Sequence, residues 1–249
     1  MSNTKIFDIF KNCVEAIQQG VLIKLVSRTD KEFHFQNWFQ ERIESMNIFY
    51  DKVGRNTYPD FTLVKYTEGY EIKGLAYPGR ESTYDCNSQV PTGYHNGRDI
   101  YYVFGRYPKT EDAGKEYPVI DLAICHGDFL NADHDYVHKN KSVKGFGCYG
   151  DIMIRDRKMY VAPTPYALVD GLIGTRTLIV PESLPVPSGF NVVGEIVRKE
   201  VKHIVVGYQF DLEKNEISAT KVKNPHAGKQ HRFTAYRLNN DAKKPVILA

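Results

Sequence analysis

The sequence has 249 residues, of which 42% are hydrophobic and 25% are charged, and its formal net charge is +3. This length and composition suit a globular protein of one elaborated domain or two small ones, and so weak a charge does not by itself predict a nucleic-acid partner. The four cysteines form no C-x-x-C pair, and neither a long apolar run nor a signal-peptide pattern is present, so we expect reduced thiols in a cytoplasmic protein without a membrane span.

Two helices are predicted near the N-terminus. Apolar residues recur at helical spacing over residues 4–18 and again over about 31–46. Between them, residues 21–26 form a short apolar strand or connection. The second helix carries three acidic residues, Glu32, Glu41 and Glu44.

A strand-turn-strand unit follows over residues 58–74. Polar and apolar residues alternate over 60–65 and again over 70–74, which is typical of strands. The connection contains Glu68-Gly69, and glycine tolerates the positive φ that tight turns often need. The pattern therefore predicts a hairpin with its turn at this pair.

Strand parity places the charged residues of this hairpin on one face. Side chains alternate along a strand, so Glu71 and Lys73 share a face. If Thr62 lies opposite Glu71, then Asp60 lies opposite Lys73, and diagonal neighbours such as Asp60 and Glu71 have Cα atoms about 7–8 Å apart. A shift of one residue would move Asp60 to the other face. The core-facing side of the hairpin is then apolar: Phe61, Leu63 and Ile72.

These residues resemble the core of the PD-(D/E)XK nuclease superfamily, which includes most orthodox type II restriction endonucleases. The match is Pro59-Asp60, ten further residues and then Glu71-Ile72-Lys73, and the resemblance extends over about residues 30–125. It implies that Asp60, Glu71 and the Ile72 carbonyl hold Mg²⁺, and that Lys73 orients or activates the attacking water. The alternative is a solvated strand face with an exposed cross-strand ion pair, worth about 0–1 kcal/mol.

The resemblance also implies a further metal ligand on the preceding helix. In many nucleases of this superfamily a helix before the Pro-Asp strand offers another acidic residue to the metal. Glu32, Glu41 and Glu44 are the candidates here, and the sequence does not distinguish them from residues on a solvated helix face.

Residues 77–99 are rich in glycine and proline and are predicted to form a loop. This loop either contacts DNA or serves as a polar connection. Two apolar segments, 100–104 and 119–125, are predicted to be central strands. The polar residues of the loop that could touch DNA are Asp85, Asn87, Ser88, Gln89 and Arg98.

Cysteine, histidine and aspartate residues crowd the segment 125–138. Their spacing fits no standard structural zinc pattern, so a polar loop is the alternative to a metal site. The next segment, 137–160, is basic and glycine-rich, and a hairpin is predicted around Asp156-Arg157. Phosphate contacts are predicted there for Lys139, Lys141 and Lys144.

The C-terminal part of the sequence is predicted to be rich in strands. A proline- and glycine-rich stretch over 163–189 precedes apolar segments at 192–197, 204–210 and 217–222. No acidic residue occurs over 217–240, so this basic stretch is favoured as a second DNA-contacting surface. Its basic residues include Lys221, Lys223, Lys229, Arg232 and Arg237.

Together these patterns predict a mixed α/β fold. The restriction-endonuclease-like core, a central mixed β-sheet flanked by helices, would occupy residues 1–165, and a β-rich, DNA-contacting extension packed on the same domain would occupy 166–249. The expected function is a Mg²⁺-dependent endonuclease of double-stranded DNA, most similar to a homodimeric type II restriction enzyme. The alternatives are a repair or branched-DNA nuclease of the same superfamily, a non-catalytic DNA-binding module, and a hydrolase that uses the 125–138 segment.

Overall fold

The computed structural model describes residues 4–24, 31–52, 58–79, 81–87, 90–108, 116–132, 143–146, 152–154, 160–211, 213–214 and 216–249. For residues 31, 32, 52, 87, 143–146, 152–154, 160, 208, 210 and 217 the description covers the backbone alone.

Four helices and nineteen strands lie within the described residues. The helices are α1 (Ile6–Gln18), α2 (Lys31–Ser45), α3 (Gly127–Asn131) and α4 (Pro165–Leu168). The first ten strands are β1 (Ile23–Lys24), β2 (Tyr50–Lys52), β3 (Phe61–Leu63), β4 (Glu68–Tyr77), β5 (Thr83–Asn87), β6 (Tyr94–His95), β7 (Arg98–Pro108), β8 (Glu116–Tyr117), β9 (Asp121–His126) and β10 (Val143–Phe146). The remaining strands are β11 (Ile152–Ile154), β12 (Tyr160–Pro163), β13 (Val169–Asp170), β14 (Arg176–Pro181), β15 (Phe190–Lys199), β16 (His203–Asp211), β17 (Glu216–Lys223), β18 (Gln230–Leu238) and β19 (Ile247–Leu248).

A mixed nine-stranded sheet forms the centre of the fold. Its strand order is β15-β18-β14-β9-β7-β4-β3-β2, and β6 pairs with Arg98 and Asp99 at the start of β7. The pairs β4–β7 and β9–β14 are parallel, and the other neighbours are antiparallel. The mixed α/β class and the mixed central sheet are therefore confirmed.

The predicted N-terminal helices are confirmed as α1 and α2, and both pack on one face of the sheet. The helix α1 buries its apolar stripe, with the Phe7 ring 5.2 Å from that of Phe190. The helix α2 places Phe35 over Gly74 and Gly105, which are neighbours on β4 and β7. A Cβ atom built on Gly105 would lie 2.1 Å from the Phe35 ring, so glycine is required for this close packing.

The opposite face of the sheet has its own apolar core. It is covered by the β5–β12 pair and by α3, through buried residues such as Tyr84, Ala162 and Phe129. The strands predicted over 100–104 and 119–125 are confirmed as β7 and β9, and both lie between these two cores. Their apolar character on both faces follows from that central position.

Two local predictions are wrong. The segment 77–99 contains β5 and β6 and is not simply a loop. Strands β11 and β12 do not form the expected hairpin, because β11 pairs with β10 and β12 pairs with β5, which is more than seventy positions earlier in the chain. The pairing of β5 with β12 is non-local and is not encoded by turn residues, whereas β6 joins β7 through a two-residue turn at Asn96-Gly97, a hairpin signal present in the sequence.

The strands predicted over 192–197, 204–210 and 217–222 are confirmed as β15, β16 and β17, whereas β18 was not predicted. Residues after 165 supply β14, β15 and β18 to the central sheet, and β9 pairs directly with β14. The strands β16 and β17 form a separate two-stranded ribbon. The longest described helix, α2, has 15 residues, and no helix in the described ranges is long and apolar enough to cross a membrane.

A buried ion pair ties β7 to β9. Asp121 accepts hydrogen bonds from Arg106 at 2.9 Å and from the Gly174 backbone N–H at 2.9 Å. The Arg106 guanidinium lies between the rings of Tyr77 and Tyr166, 4.7 and 4.9 Å from their centroids. Only 2% of the arginine side chain is exposed. This cluster therefore links two neighbouring strands near the middle of the sheet.

Candidate active site

The strands β3 and β4 form the predicted hairpin, with a register different from the one expected. Phe61 lies opposite Tyr70 and Thr62 lies opposite Gly69. The expected pairing of Thr62 with Glu71 is therefore wrong by two residues. A shift of two residues leaves every side chain on its predicted face, since the strand period is two.

The turn was also placed wrongly. Glu68 and Gly69 lie inside β4, and the connection is Val64–Thr67. Glu68 is buried and accepts hydrogen bonds from the Lys5 backbone N–H at 2.8 Å and from the Tyr70 hydroxyl at 2.7 Å. A Cβ atom on Gly69 would lie 2.7 Å from Cγ of Pro59. This glycine therefore permits close packing, and it is not a turn residue.

The parity of the hairpin is as predicted. Phe61, Leu63 and Ile72 are buried in the core beneath α1 and α2. Glu71 and Lys73 point to the opposite face of the sheet, since they alternate with Ile72 along β4. Asp60 lies in the bend that precedes β3, outside the strand alternation, and its contact with β4 sets its position.

Asp60 is anchored to the backbone of β4. Its Oδ2 atom accepts a hydrogen bond of 2.7 Å from the Ile72 backbone N–H. The N–H and C=O groups of one residue in an extended strand point to the same edge, so the Ile72 carbonyl is directed to the edge at which Asp60 lies. The carboxylate of Asp60 therefore adjoins the peptide that follows Glu71.

Glu71 and Lys73 form a mostly buried ion pair. The Lys73 Nζ atom lies 2.6 Å from Oε1 of Glu71, and the two side chains are 13% and 14% exposed. The alternative of a solvated strand face with an exposed ion pair is therefore wrong, because the β5–β12 pair covers this face of the sheet. The pair is also within one strand and not across two. In such a position an unpaired charge would be costly, and the contact between the two side chains offsets that cost.

Tyrosine residues surround the ion pair, and the sequence did not identify them as part of the site. Tyr102 lies beside Glu71 in the parallel β4–β7 register. Its hydroxyl is 2.8 Å from that of Tyr58, and the Tyr84 ring centroid is 5.9 Å from Lys73 Nζ. Burial raises the pKa of both Tyr58 and Tyr102, so their phenols stay protonated at neutral pH. The one sequence signal was the adjacent pair Tyr101-Tyr102 in the predicted strand 100–104, since adjacent strand residues point to opposite faces and one of the two must share the face of Glu71.

The oxygen atoms of the site suit a hard divalent cation. The carboxylates of Asp60 and Glu71 and the Ile72 carbonyl are the kind of ligand that Mg²⁺ prefers, and Mg²⁺ commonly uses one or two carboxylates together with water and substrate phosphate. Within the described ranges no three His, Cys, Asp or Glu side chains form a metal-binding group. A magnesium ion here would thus depend on substrate or water for its other ligands.

The helix α2 supplies no described acid to this site. Glu41 and Glu44 are exposed, and Glu44 accepts a hydrogen bond of 2.6 Å from the Tyr50 hydroxyl. Because α2 packs on the face of the sheet opposite Glu71, the candidates Glu41 and Glu44 lie on the other side of the sheet from Glu71 and fit the solvated-helix alternative. The side chain of Glu32 lies outside the described residues.

The residues predicted to contact DNA fall into three groups. Lys229 and Arg232 are exposed. Arg98 Nη1 donates to the carbonyls of Leu63 and Tyr66 at 2.8 and 2.6 Å, so this side chain secures the β3–β4 connection, and a DNA contact by it stays a prediction. Ser88, Gln89, Lys139 and Lys141 and the side chains of Asn87 and Lys144 lie outside the described residues.

Arg237 is not part of the exposed basic surface. It is fully buried, and its guanidinium donates to Thr177 Oγ1 at 2.9 Å and to the Gly171 carbonyl at 2.7 Å. The prediction of a surface role for it is therefore wrong. Sequence composition could not separate this buried arginine from the exposed ones.

The segment 125–138 is explained in part by helix capping. His126 accepts at Nδ1 from the Asp128 backbone N–H at the N-terminus of α3, and Asp128 accepts from the Gly93 backbone N–H at 2.8 Å. Burial lowers the pKa of His126, so it is neutral at pH 7. Residues 133–138 lie outside the described residues.

Comparisons with known proteins add no constraint, since neither a protein-family model nor a curated protein sequence matches the chain.

Proposed function

We propose that this protein is a Mg²⁺-dependent endonuclease that hydrolyses phosphodiester bonds of double-stranded DNA, most similar to a type II restriction enzyme. The supporting observation is a pair of contacts at consecutive residues of β4: Asp60 Oδ2 lies 2.7 Å from the Ile72 backbone nitrogen, and Lys73 Nζ lies 2.6 Å from Glu71 Oε1. Two carboxylates can hold a divalent ion that activates water and stabilises charge on phosphoryl oxygens, and a nearby amine adds positive charge.

In this proposal Asp60, Glu71 and the Ile72 carbonyl hold the metal ion. Bound there, Mg²⁺ would lower the pKa of a water molecule and stabilise negative charge on the phosphoryl oxygens. Lys73 orients the attacking water and adds positive charge next to the phosphate. The hydrogen bond from the Ile72 N–H keeps the Asp60 carboxylate in position before substrate arrives, which reduces the reorganisation needed for catalysis.

The tyrosines that enclose the ion pair also contribute to the proposed mechanism, because they restrict the access of water. Few water molecules reach Glu71 and Lys73, and electrostatic interactions are stronger where water is excluded. The phosphate must therefore enter beside Asp60, where β3 begins. A homodimer that cuts a palindromic sequence is the corresponding proposal for the assembly, since two-fold DNA symmetry pairs with two-fold protein symmetry.

Cleavage assays on three substrates test this function. Plasmid DNA, a flap and a four-way junction are each incubated with the protein in Mg²⁺ and in EDTA. Discrete plasmid fragments that require Mg²⁺ support the restriction-type activity, and cleavage restricted to flaps or junctions supports the repair alternative. Tight DNA binding without cleavage, unchanged by Asp60→Ala, supports the non-catalytic module. Hydrolysis that depends on zinc and is lost in His126→Ala supports the hydrolase that uses segment 125–138.

A further inference from the structure

The strands β16 and β17 form a ribbon that stands apart from the central sheet. In the described part of the chain they pair only with each other, over His203–Asp211 and Glu216–Lys223. Apolar side chains remain exposed on the ribbon, including 56% of Val206. An isolated two-stranded hairpin is only marginally stable in water, so its attachment to the rest of the protein must hold it in place.

That attachment is a hydrogen-bonded unit around Glu200. The carboxylate of Glu200 lies 2.8 Å from His231 Nε2 and accepts from Asn224 Nδ2 at 3.1 Å. Backbone bonds of 2.9 Å join Glu200 to Lys229 and Asn224 to Lys202. Asn224 is 5% exposed, so the root of the ribbon is packed and ordered around this one acid.

Six exposed cationic side chains surround this unit. We call them the stem cations: Lys199, Lys202, Lys221, Lys223, Lys229 and Arg232. The strand and turn pairings bring them together, since Lys223 pairs with His203, Lys199 with Gln230 and Arg232 with Val197. Three acids lie at the same surface: Glu200, Glu182, whose N–H donates to the Arg232 carbonyl at 3.1 Å, and Glu195, which is diagonal to Arg232 across β15 and β18. Six cations less three acids leave +3, so positive charge is concentrated at this surface.

The tip of the ribbon has the opposite character. Asp211, Glu213 and Glu216 lie there, with Lys214 held 3.3 Å from Asp211. Positive charge is thus confined to the stem. A polyanion would contact the stem and be repelled by the tip.

We propose that the stem cations bind the phosphate backbone of double-stranded DNA. This inference deepens the proposed nuclease function and rests on DNA as its substrate. The exposed positions and flexible side chains suit contacts with phosphate oxygens, which position a protein on DNA without reading its sequence. The tight unit around Glu200 keeps the cations together, so their charges act on one segment of duplex.

The sheet geometry sets the distance from the stem to Asp60, Glu71 and Lys73. Five strand steps separate β4 from β15, and at about 4.8 Å per step they amount to roughly 24 Å. This length corresponds to about 7 base pairs at 3.4 Å each. The twist of about 20–25° per step turns the sheet by roughly 100–125° over the same span. A duplex that reaches both places must therefore be longer than about 7 base pairs.

Binding of a 25-base-pair duplex, measured by fluorescence anisotropy without divalent metal, tests the proposal. The test variant is Lys199→Gln/Lys229→Gln/Arg232→Gln. The control variant, Lys11→Gln/Lys24→Gln/Lys243→Gln, removes the same charge from exposed positions outside the stem. All six positions are exposed, so both variants should fold, and circular dichroism checks this.

We expect the test variant to bind at least about tenfold more weakly than the control. Each lost phosphate contact lowers the slope of log K against log salt concentration by about 0.9, so the slope should fall by about 2–3. A second variant, Lys202→Gln/Lys223→Gln, should lower the slope by about 1–2. Affinity and slope equal to those of the control would overturn the proposal, as would binding to phosphatidylserine vesicles in place of DNA.

A parallel cleavage assay in Mg²⁺ separates this inference from the proposed function. If the wild-type protein cuts no DNA and yet its binding depends on the stem cations, the nuclease proposal fails and the inference stands. If the wild-type protein cuts DNA and both stem variants bind as the control does, the nuclease proposal stands and the inference fails.

Discussion

Replacement of Asp60 by asparagine separates the catalytic proposal from a purely structural role. Asparagine has almost the same shape and keeps an acceptor oxygen for the Ile72 N–H, which donates to Asp60 at 2.7 Å. A hydrogen bond to a charged group contributes about 1.5–3 kcal/mol and a neutral one about 0.5–1.5 kcal/mol, so the substitution should cost about 1–1.5 kcal/mol of stability. The melting temperature should then fall by about 2–6 °C, which leaves the protein folded at 25 °C.

The loss of activity should be much larger than the loss of stability. Two unit charges about 4 Å apart interact by about 4 kcal/mol at an effective dielectric constant of about 20. Removal of the Asp60 charge from the metal site should therefore slow cleavage about 1000-fold. The assay is the rate of plasmid cleavage in Mg²⁺ at 25 °C, after thermal melting confirms the folded state.

The matched control is Asp51→Asn, because Asp51 is an exposed aspartate on the neighbouring strand β2, opposite Thr62. This control should keep the wild-type rate. An Asp60→Asn protein that is folded and cuts DNA at the wild-type rate would refute the role assigned to Asp60.

Three further substitutions test the site and the fold. Lys73→Met should slow cleavage at least about 100-fold. The control Lys65→Met, at an exposed position in the same hairpin, should cleave within about twofold of the wild-type rate. Equal rates for the two variants would show that Lys73 has no catalytic role. Asp121→Asn leaves Arg106 buried without its charged partner, so it should lower the free energy of unfolding, measured by urea titration, by about 3–5 kcal/mol. A decrease below about 1 kcal/mol would contradict the stabilising role given to this ion pair. Because burial lowers the pKa of His126 below its unfolded value of about 6.5, the wild-type protein should lose stability as the pH falls from 7 to 5. His126→Asn keeps a capping acceptor, so its melting temperature should fall less than that of the wild type over the same pH range. A pH dependence equal to that of the wild type would assign the effect to other groups.

The sequence predicted best what depends on local periodicity. The helical spacing over residues 4–18 and 31–46 gave α1 and α2, and the alternation around Glu71 gave the correct face for each side chain of β3 and β4. Parity survived an error of two residues in the register because the side-chain period along a strand is also two. The register itself depends on where the turn lies. The turn was expected at Gly69, but this glycine lies within β4 and packs closely against Pro59.

What the sequence did not predict depends on contacts between distant residues. The parallel pairing of β4 with β7 brings Tyr102 beside Glu71, and the pairing of β5 with β12 covers the same face. These pairings enclose the site that parity alone left open to solvent. Arg237 shows the same limit. Composition assigned it to the surface, but its guanidinium is buried and donates to Thr177 and Gly171, at least 60 positions earlier in the chain, as well as to two nearby carbonyls.

The most direct test of a shared magnesium site at Asp60 and Glu71 is to digest a long linear DNA of known sequence and to sequence the fragment ends. The wild-type protein should give ends at one recurring short sequence in Mg²⁺ and none in EDTA, and a folded Glu71→Gln variant should give none in either. Intact DNA with the folded wild-type protein in Mg²⁺, or equal cutting by Glu71→Gln, would contradict the account.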